Sequence, residues 1–414
     1  MGNEVIVGLD IGTTKVACII TEIGENNELK VVGVGISPSE GLRKGVVVDM
    51  EKTVKSIKKA VEEAEVMAGV DIEAVWAGIA GDHIRAKNCK GSVAISRENH
   101  EIAQEDVERA IEVAKALPIS QDYELLHVIP QEYCVDEQRG IKNPVRMGGV
   151  RLEAQVHLIA AHATKIRDIA SCVEQAGLKL IKLVLEPLAS SYAVLERDEK
   201  ELGVAMIDIG GGTTDIAIYF NENIRHSAIV GLGGYNVTRD ISIGLRTPEV
   251  KAEEIKRKYG CAYLPLVRGN ERIRIPKLGG REDADIERAG LVGFIEPRVE
   301  EILSLAMREI KKTEYFEMLG AGVVLTGGGA MMEGMREKAE SVFQMPVKIG
   351  IPGHLGGGGF TDVVKSPAHA TGIGLCMYAM EAYAQNQNRK VKKGGGNVLH
   401  DLFDKIKIGF NKYF

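Results

Sequence analysis

Two short segments rich in glycine and threonine each begin with an aspartate at the end of a predicted strand. The first is Asp10-Ile-Gly-Thr-Thr-Lys15 and the second is Asp208-Ile-Gly-Gly-Gly-Thr-Thr-Asp215. A turn of this kind lets successive backbone N–H groups converge on a phosphate, while threonine hydroxyls and a lysine add donors and positive charge. The sequence therefore predicts two phosphate loops, with contacts from Gly12, Thr13, Thr14, Lys15, Gly210, Gly211, Gly212, Thr213 and Thr214.

The aspartates that open the two loops predict a metal site. Mg²⁺ keeps most of its waters in proteins and takes few carboxylates, so Asp10 and Asp208 are positioned to hold it through its water shell. A third glycine run, Thr326-Gly-Gly-Gly-Ala330, follows another predicted strand. Its glycines would let the backbone clasp the base and sugar of a nucleotide; they are Gly327, Gly328 and Gly329.

Each loop also has a plainer interpretation when it is taken singly. The first pattern is typical of a hairpin turn, and the third is typical of a turn at the end of a strand. All three in this order, on a duplicated set of strands, favour nucleotide binding. The sequence has no Walker A pattern, and no Gly-x-Gly-x-x-Gly opens a helix after the first strand, which excludes P-loop and Rossmann interpretations.

The elements that must position these loops occur twice. The first set is predicted as strands Val5–Asp10, Val16–Thr21 and Leu29–Ile36, a helix over Glu51–Ala68 and a strand over Ala74–Ile79. The second set is predicted as strands Val204–Asp208, Asp215–Phe220 and Ile224–Val230, a helix over Ile286–Lys311 and a strand over Gly322–Leu325. The repeated order predicts an α/β protein with two similar halves that face each other across a cleft.

Composition excludes several classes of function. The chain has 414 residues and a net charge of −6, which gives no global electrostatic reason for nucleic-acid binding. Its 6 cysteines include no Cys-x-x-Cys pair, so neither a zinc site nor a disulfide framework is indicated. His157 and His162 have no nearby carboxylate motif and are interpreted as structural. No run of roughly 18 apolar residues indicates a membrane span, and the expected location is the cytoplasm.

The C-terminal segment differs from the rest of the chain. Residues 385–397 have no face that could pack and are predicted to be a flexible linker. Residues 398–414 regain helical periodicity, with a stripe formed by Leu399, Leu402, Phe403, Ile406 and Phe410 and flanked by Lys405 and Lys407. This pattern predicts a helix that lies on an anionic membrane surface. The alternatives are a helix that binds a partner protein and one that folds back on the body.

The three loops resemble the two phosphate motifs and the adenosine motif of the superfamily of actin, DnaK-type chaperones and sugar kinases. Within that superfamily, the chain resembles the FtsA family of bacterial cell-division actin homologues over essentially its full length. The segments that carry this resemblance are 126–133, 150–153, 183–190, 198–203 and 295–298. One departure is Arg146, which stands where the family pattern has glycine.

The resemblance implies a duplicated RNase-H-like actin fold, in which two facing domains with inserted subdomains enclose an ATP cleft and a C-terminal amphipathic helix follows. The implied subdomains are IA (1–82, 162–200 and a return over 369–384), IC (83–161), IIA (201–233 and 301–368) and IIB (234–300). The linker (385–397) and the membrane-targeting helix (398–414) complete the chain.

Individual roles also follow from the resemblance. Glu186 matches the residue that orients the attacking water or the metal, beside Asp10 and Asp208. Glu253 and Lys256 match residues that approach the adenosine. Arg298 matches the basic contact for the acidic C-terminal tail of FtsZ, the tubulin-like partner. The rival interpretations are a helix-start carboxylate, a solvated charged helix and an ordinary surface arginine, respectively.

The expected function is that of a protein that binds ATP and Mg²⁺, with at most slow hydrolysis. It would polymerise on the cytoplasmic face of the cell membrane at the division septum. There it would anchor the FtsZ ring and recruit later division proteins through subdomain IC. The alternatives are a pilus-assembly actin homologue and a sugar kinase of the same superfamily, although the sequence offers no clear base for a sugar hydroxyl.

Overall fold

The computed structural model describes residues 5–24, 28–116, 120–269, 271–276 and 282–391, with the backbone alone for 385–391. Two five-stranded sheets of the same topology form its two halves. The first sheet has the order β11-β6-β1-β2-β3, and its strands are β1 (Val5–Ile11), β2 (Lys15–Ile23), β3 (Leu29–Pro38), β6 (Ala74–Ile79) and β11 (Lys179–Leu185). The second has the order β14-β13-β12-β17-β18, with β12 (Val204–Ile209), β13 (Thr214–Phe220), β14 (Asn223–Val230), β17 (Val323–Thr326) and β18 (Val347–Ile349).

Helices and short strands connect and cover these sheets. In the first half they are β4 (Leu42–Arg43), β5 (Val46–Val47), α1 (Met50–Ala68), α3 (Ala163–Gln175) and α4 (Glu186–Val194). In the second half they are α5 (Arg197–Leu202), α6 (Gly234–Leu245), α7 (Glu249–Tyr259), β15 (Arg272–Ile275), β16 (Ala284–Glu287), α8 (Arg288–Lys311) and α9 (Met335–Phe343). The short helix α10 (Thr361–Val364) packs on β3 of the first sheet. Short 3₁₀ turns occur at Leu264–Leu266, Phe316–Met318, Gly328–Met331 and Pro367–His369, and α11 (Ala370–Val391) returns to the first half.

The two loop-bearing strands are central because their sequences are apolar on both faces. Six of the seven residues of β1 and all six of β12 are buried. Helices cover the sheets, as an α/β arrangement requires. On the first sheet, α1 begins at an Asp49 cap that accepts the Lys52 N–H and ends at Gly69 in the left-handed region. Both loops therefore emerge from rigid strand ends.

A four-stranded antiparallel sheet is inserted into the first half. Its order is β7-β10-β8-β9, and its elements are β7 (Ile84–Ala94), α2 (Gln104–Lys115), β8 (Tyr123–Val135), β9 (Gln138–Ile141) and β10 (Arg151–His162). The insert has its own core, in which α2 packs on β7 and β10. It also contacts β14 of the second half, so the insert touches both halves.

The contact between the insert and β14 is a row of polar pairs that we call the seam. Asn88 Nδ2 donates to the Arg225 carbonyl at 2.8 Å, and Gln131 Nε2 donates to the Ile224 carbonyl at 2.6 Å. The ring of His157 lies between Asn88 Oδ1 (2.6 Å from Nδ1) and the Ser227 hydroxyl (3.0 Å from Nε2). The guanidinium of Arg225 pairs with Glu132 at 3.0 Å. Both ring nitrogens of His157 therefore have partners within the protein, on the two sides of the seam.

Two of the predicted boundaries differ from the structure for an identifiable physical reason. The helix expected from Ile286 begins at Arg288, because residues 284–287 pair with β15 as a two-stranded ribbon. The linker expected from Gln385 begins later, since the backbone of α11 remains helical to Val391. Glutamine, arginine and lysine are good helix formers, and no glycine or proline interrupts residues 385–391.

Candidate functional site

The two phosphate loops close with the same turn. Gly12 N–H donates to the Lys15 carbonyl at 3.0 Å, and Gly210 N–H donates to the Thr213 carbonyl at 3.0 Å. Each turn joins the central strand of its sheet to the next strand, β1 to β2 and β12 to β13. The sequence duplication is therefore a duplication of backbone geometry.

The structure brings the two loops into contact across the cleft. A methyl group added at Gly212 would lie 2.5 Å from the hydroxyl oxygen of Thr13, and one added at Gly211 would lie 2.6 Å from that of Thr14. Only glycine allows this approach. Four of the predicted phosphate contacts thus come together, two side chains from the first half and two backbone positions from the second.

Four carboxylates surround the loops. Asp10 and Asp208 end their strands, Glu186 begins α4, and Asp215 lies on β13. Burial is the main cause that raises the pKa of each carboxyl, and negative neighbours add to it for Asp208, Asp215 and Glu186. The pKa of Asp208 rises to about 6. Such a group of mutually repelling acids favours a bound cation.

No direct metal cage is formed by these side chains. Within the described residues, no group of three or more His, Cys, Asp or Glu side chains is arranged to hold a metal ion. The prediction that Asp10 and Asp208 hold Mg²⁺ through its waters rests instead on the acidity of the cluster.

The carboxylate of Asp208 is held by two hydroxyls that the sequence did not single out as site residues. Ser190 Oγ, on α4, donates to Asp208 Oδ2 at 2.7 Å, and Thr371 Oγ1, at the start of α11, lies 3.4 Å from the same oxygen. Ser190 closes a segment that carried the family resemblance, which was the available signal. Thr371 had no comparable sequence signal.

The lysine of the first loop is already engaged. Its ammonium lies 3.9 Å from Asp10 and donates to the Ala368 carbonyl. Lys15 therefore neutralises part of the acidic cluster, in line with its effect of lowering the pKa of Asp10 against the burial that raises it.

The predicted roles of the second loop's hydroxyls need correction. The hydroxyl of Thr214 donates to the Leu232 carbonyl at 2.9 Å, and the side chain is fully buried. It is therefore not available to a phosphate, and the prediction for Thr214 is wrong. Thr213 donates to Asp215 at 3.2 Å. In this loop the backbone of Gly211 and Gly212 faces the cleft, whereas the N–H and carbonyl of Gly210 are bonded to Thr213 and Gly234.

The third glycine run supports the second loop from the side. Thr326 on β17 pairs with Asp208 on β12, so the run begins beside the aspartate. Gly327 has a φ of 83°, and a side chain there would overlap Asp208 Oδ1. Gly329 packs on Ile209, whereas Gly328 has open space around it. The backbone here is fixed by close contact with the strand that ends in Asp208.

Glu253 and Lys256 lie next to the second loop, on α7. The ammonium of Lys256 donates to the Gly234 carbonyl at 3.0 Å and to the Thr238 hydroxyl at 2.8 Å, and it pairs with Glu253 at 2.6 Å. Burial lowers the pKa of Lys256, although Glu253 opposes this effect. The N–H of Gly234 bonds the Gly210 carbonyl at 2.9 Å, which ties this pair to the loop.

Comparison with known proteins agrees with this geometry. Residues 205–374 match the family model for Cell division protein FtsA, and residues 81–160 match that for the SHS2 domain inserted in FTSA. The chain is 45% identical to Cell division protein FtsA of Pseudomonas aeruginosa over 94% of this chain and 92% of that protein. The chain belongs to the FtsA family of cell division proteins. The family predicted from the sequence is thereby confirmed, and the chain is a cell-division actin homologue.

Solved structures support the fold of this FtsA-family protein. The PilM-PilN type IV pilus biogenesis complex gives a TM-score of 0.66 at 17% identity and covers 91% of this chain and 98% of the matched chain. MreB 5 of Spiroplasma citri bound to AMPPNP gives 0.54 at 16% identity, over 95% of this chain and 100% of its own. The predicted α/β actin-like fold, with two domains around a cleft, is confirmed.

The arginine predicted to contact FtsZ is engaged within this FtsA-family chain. The guanidinium of Arg298 makes two hydrogen bonds to Asp240, one of 3.1 Å, and also bonds Glu301. It lies beside a surface groove of about 420 Å³ between α6 and α8, which also exposes Ile243 and Phe294. A ligand in this groove would meet apolar surface and a guanidinium that is already neutralised.

The residues predicted to form the membrane helix of this FtsA-family chain are not among those that the structure describes. Residues 398–414, with Leu399, Leu402, Phe403, Lys405, Ile406, Lys407 and Phe410, lie outside the described residues. In the part that is described, no helix is long and apolar enough to cross a membrane.

Proposed function

We propose that this FtsA-family protein binds Mg·ATP between its two halves. The observation that carries the proposal is the contact of the two phosphate loops, in which Thr13 and Thr14 face Gly212 and Gly211. The hydroxyls of one loop and the backbone of the other thus lie side by side, as groups that bind one chain of phosphates from two sides must. The structural neighbour MreB 5, which is bound to AMPPNP, gives independent support through the shared fold.

The chain's own residues have distinct roles in this proposal. Asp10 and Asp208 hold Mg²⁺ through its waters, and the ion neutralises phosphate charge when it is bound. Glu186 lies within the electrostatic influence of Asp10, Asp208 and Asp215, which suits a residue that orients water. Hydrolysis is slow at most, and the nucleotide acts chiefly as a ligand that biases closure of the cleft.

The adenosine end of the nucleotide lies between the third glycine run and α7. Gly327, Gly328 and Gly329 approach it from the end of β17, while Glu253 and Lys256 approach it from α7. Lys256 is connected to the loop backbone through Gly234, so the two ends of the nucleotide share one rigid support.

We further propose that the protein polymerises on the cytoplasmic face of the membrane at the division septum. Residues 385–414 carry a formal charge of +5, which leaves −11 for the rest of the chain. Each cation near an anionic surface contributes about 1 kcal/mol. A single amphipathic helix binds a membrane weakly, whereas many helices on one filament bind it together. Membrane attachment would therefore depend on filament assembly.

The proposed partner is the C-terminal tail of FtsZ, bound in the groove beside Arg298. The exposed Ile243 and Phe294 supply the apolar contact, and Arg298 keeps the groove wall in place through Asp240. Arg298→Gln should therefore weaken binding of an FtsZ tail peptide by opening the wall. Arg239→Gln, which removes an exposed charge from α6, is the matched control. Later division proteins would bind the insert.

Liposome co-sedimentation tests the membrane part of the proposal. The full chain and a truncation after Gln385 are compared on anionic vesicles, with and without Mg·ATP. The proposal expects only the full chain to pellet, and more of it with ATP. If neither pellets, the C-terminal segment does not bind anionic membranes and the membrane anchor is wrong.

A second test separates the other candidates. ATP turnover is measured with a panel of sugars, because a kinase would accelerate when its acceptor is present. No acceleration is expected, since no described residue at the loops is a free base apart from the carboxylates assigned above. A pilus-assembly protein of the same fold would lack a reason for the cationic amphipathic C-terminus.

A further inference from the structure

A short hairpin of the first half reaches over the first phosphate loop. It consists of β4 and β5, and its tip is Lys44-Gly45, with φ angles of 51° and 74°. Two successive left-handed residues are the geometry of a tight type I′ turn. The N–H of Gly45 donates to the hydroxyl of Thr13 at 3.2 Å, and at the hairpin's base the N–H of Ser39 donates to the Thr14 carbonyl at 3.2 Å.

The tip also spans the cleft between the two halves. A methyl group at Gly231, which follows β14 in the second half, would lie 3.8 Å from the ammonium nitrogen of Lys44. Behind the tip, a side chain at Gly45 would overlap the Ala80 carbonyl at the end of β6. The hairpin is therefore supported by the first half, while the Lys44 ammonium reaches the second.

Lys44 differs from the other lysines of the site in having no partner. Lys15 is held by Asp10 and the Ala368 carbonyl, and Lys256 is held by Glu253. The side chain of Lys44 is exposed, and no hydrogen bond or ion pair joins its ammonium to any residue that the structure describes. This ammonium therefore lies between the Thr13 loop and Gly231, where an anion held by the two loops would meet it.

The order of strands in the second sheet says which part of a nucleotide Lys44 would meet. The third glycine run follows β17, the second phosphate loop joins β12 to β13, and Gly231 follows β14. In the sheet these strands stand in the order β14-β13-β12-β17. A nucleotide with its adenosine near β17 and its phosphates over the second loop therefore has its terminal phosphate towards β14 and Lys44.

We propose that Lys44 is the cation that recognises the terminal phosphate of a nucleoside triphosphate. The inference rests on the proposed nucleotide site and adds a residue that makes this site bind a triphosphate more tightly than a diphosphate. The ammonium would bond a phosphate oxygen that the diphosphate lacks, as a compact point charge on a flexible stem does well. The tip also bonds Thr13 through Gly45. A triphosphate bound in the cleft would therefore hold the hairpin and the first loop against the second half.

Binding constants for Mg·ATP and Mg·ADP with the full chain test this proposal. Lys44→Gln should weaken Mg·ATP by about tenfold or more, the loss expected for one charge-assisted hydrogen bond, and Mg·ADP by less than about twofold. Lys44→Arg should restore most of the preference for ATP. The matched control is Lys59→Gln, an exposed lysine of α1, which should bind both nucleotides as the unaltered chain does.

Two results would overturn the inference while leaving the proposed site intact. Equal weakening of both nucleotides by Lys44→Gln would mean that the residue only shapes the hairpin. Unchanged binding of both would mean that Lys44 touches no phosphate. If the unaltered chain binds neither nucleotide, the proposed function itself fails, and this inference fails with it.

Discussion

The two phosphate loops share one backbone turn but use it in opposite ways. In the first loop, Thr13 and Thr14 present hydroxyls, whereas in the second the corresponding contacts are the backbone of Gly211 and Gly212. Across the strands, Asp10 pairs with Ala17, but Asp208 pairs with a second acid, Asp215. The two loops therefore share a main-chain turn but differ in side chains: the first loop carries the more exposed hydroxyls, and the second carries a pair of facing acids.

The largest effect is expected from a substitution that disturbs the packing behind the second loop. Gly327→Ala places a side chain against Asp208 and forces an alanine to a φ of 83°. Overpacking and left-handed strain together cost about 2–5 kcal/mol. We expect a loss of that size in the free energy of unfolding in urea, together with loss of measurable Mg·ATP binding.

The same glycine run provides the control for that change. Gly328 has no atom within 4 Å of an added methyl group, and its φ is not in the left-handed region. Gly328→Ala should therefore keep the free energy of unfolding within about 0.5 kcal/mol. Equal destabilisation by both variants would show that the second loop is not supported by close packing at Gly327.

The acidity of the second loop predicts a pH dependence. The pKa of Asp208 is raised from 3.8 to about 6, so the folded state binds a proton more tightly than the unfolded state. Stability from this group is complete below pH 4 and is lost as the pH rises to 6. Above pH 6 the charge costs on the order of 3 kcal/mol in the nucleotide-free protein.

Asp208→Asn removes that cost and keeps an acceptor for Ser190. Without nucleotide, its thermal midpoint should exceed that of the unaltered chain at pH 7.5, and the advantage should shrink towards pH 4. With Mg·ATP the order should reverse, because the variant loses its contact with the ion. A variant that is less stable at every pH would contradict the assignment of buried negative charge to this loop.

Two isosteric substitutions, one in each loop, test which threonine hydroxyl contacts phosphate and which one stabilises the fold. Thr214→Val leaves the buried Leu232 carbonyl without its donor, at a cost of about 1–2 kcal/mol in stability, with ATP affinity nearly unchanged. Thr14→Val changes an exposed side chain, so stability should hold while ATP affinity falls about tenfold. Urea unfolding and nucleotide titration of both variants check this; the reverse pattern would assign the phosphate contact to Thr214.

The smallest expected effect is at Arg146, which lies outside both loops and measures what a left-handed backbone costs in free energy of unfolding. Arg146 has a φ of 73°, at the position where the family pattern predicts glycine. Arg146→Gly should stabilise the protein by about 0.5–1 kcal/mol by relieving strain. Arg146→Ala keeps the strain and removes the side chain, so it should give no gain. A gain with alanine as well would point to the side chain.

Much of the fold was predictable because its signals are local. Apolar runs ending in aspartate and glycine marked the strands and loops, and the repeated order marked the two halves. Thr214 was misassigned because adjacent residues of a strand point to opposite faces, and the sequence alone did not say which hydroxyl faced the cleft. The hydroxyls of Ser190 and Thr371 meet Asp208 only through long-range packing.

Charge partners were equally invisible in the sequence. Arg298 was predicted as a basic contact for an acidic tail, yet Asp240, 58 positions earlier, neutralises it. The end of α11 was misjudged for a different reason, since polar composition was taken as a sign of a linker although those residues favour helix. Local composition does not distinguish a solvated helix from a solvated coil.

The seam gives the insert an unusual mechanical position. Its chain joins the first half, but Asn88, Gln131 and His157 attach it to β14 of the second. Buried polar groups that lose their partners cost about 1–3 kcal/mol each, so a hinge motion that sheared this row would be expensive. A movement of the second half relative to the first would therefore be transmitted to the insert through these hydrogen bonds.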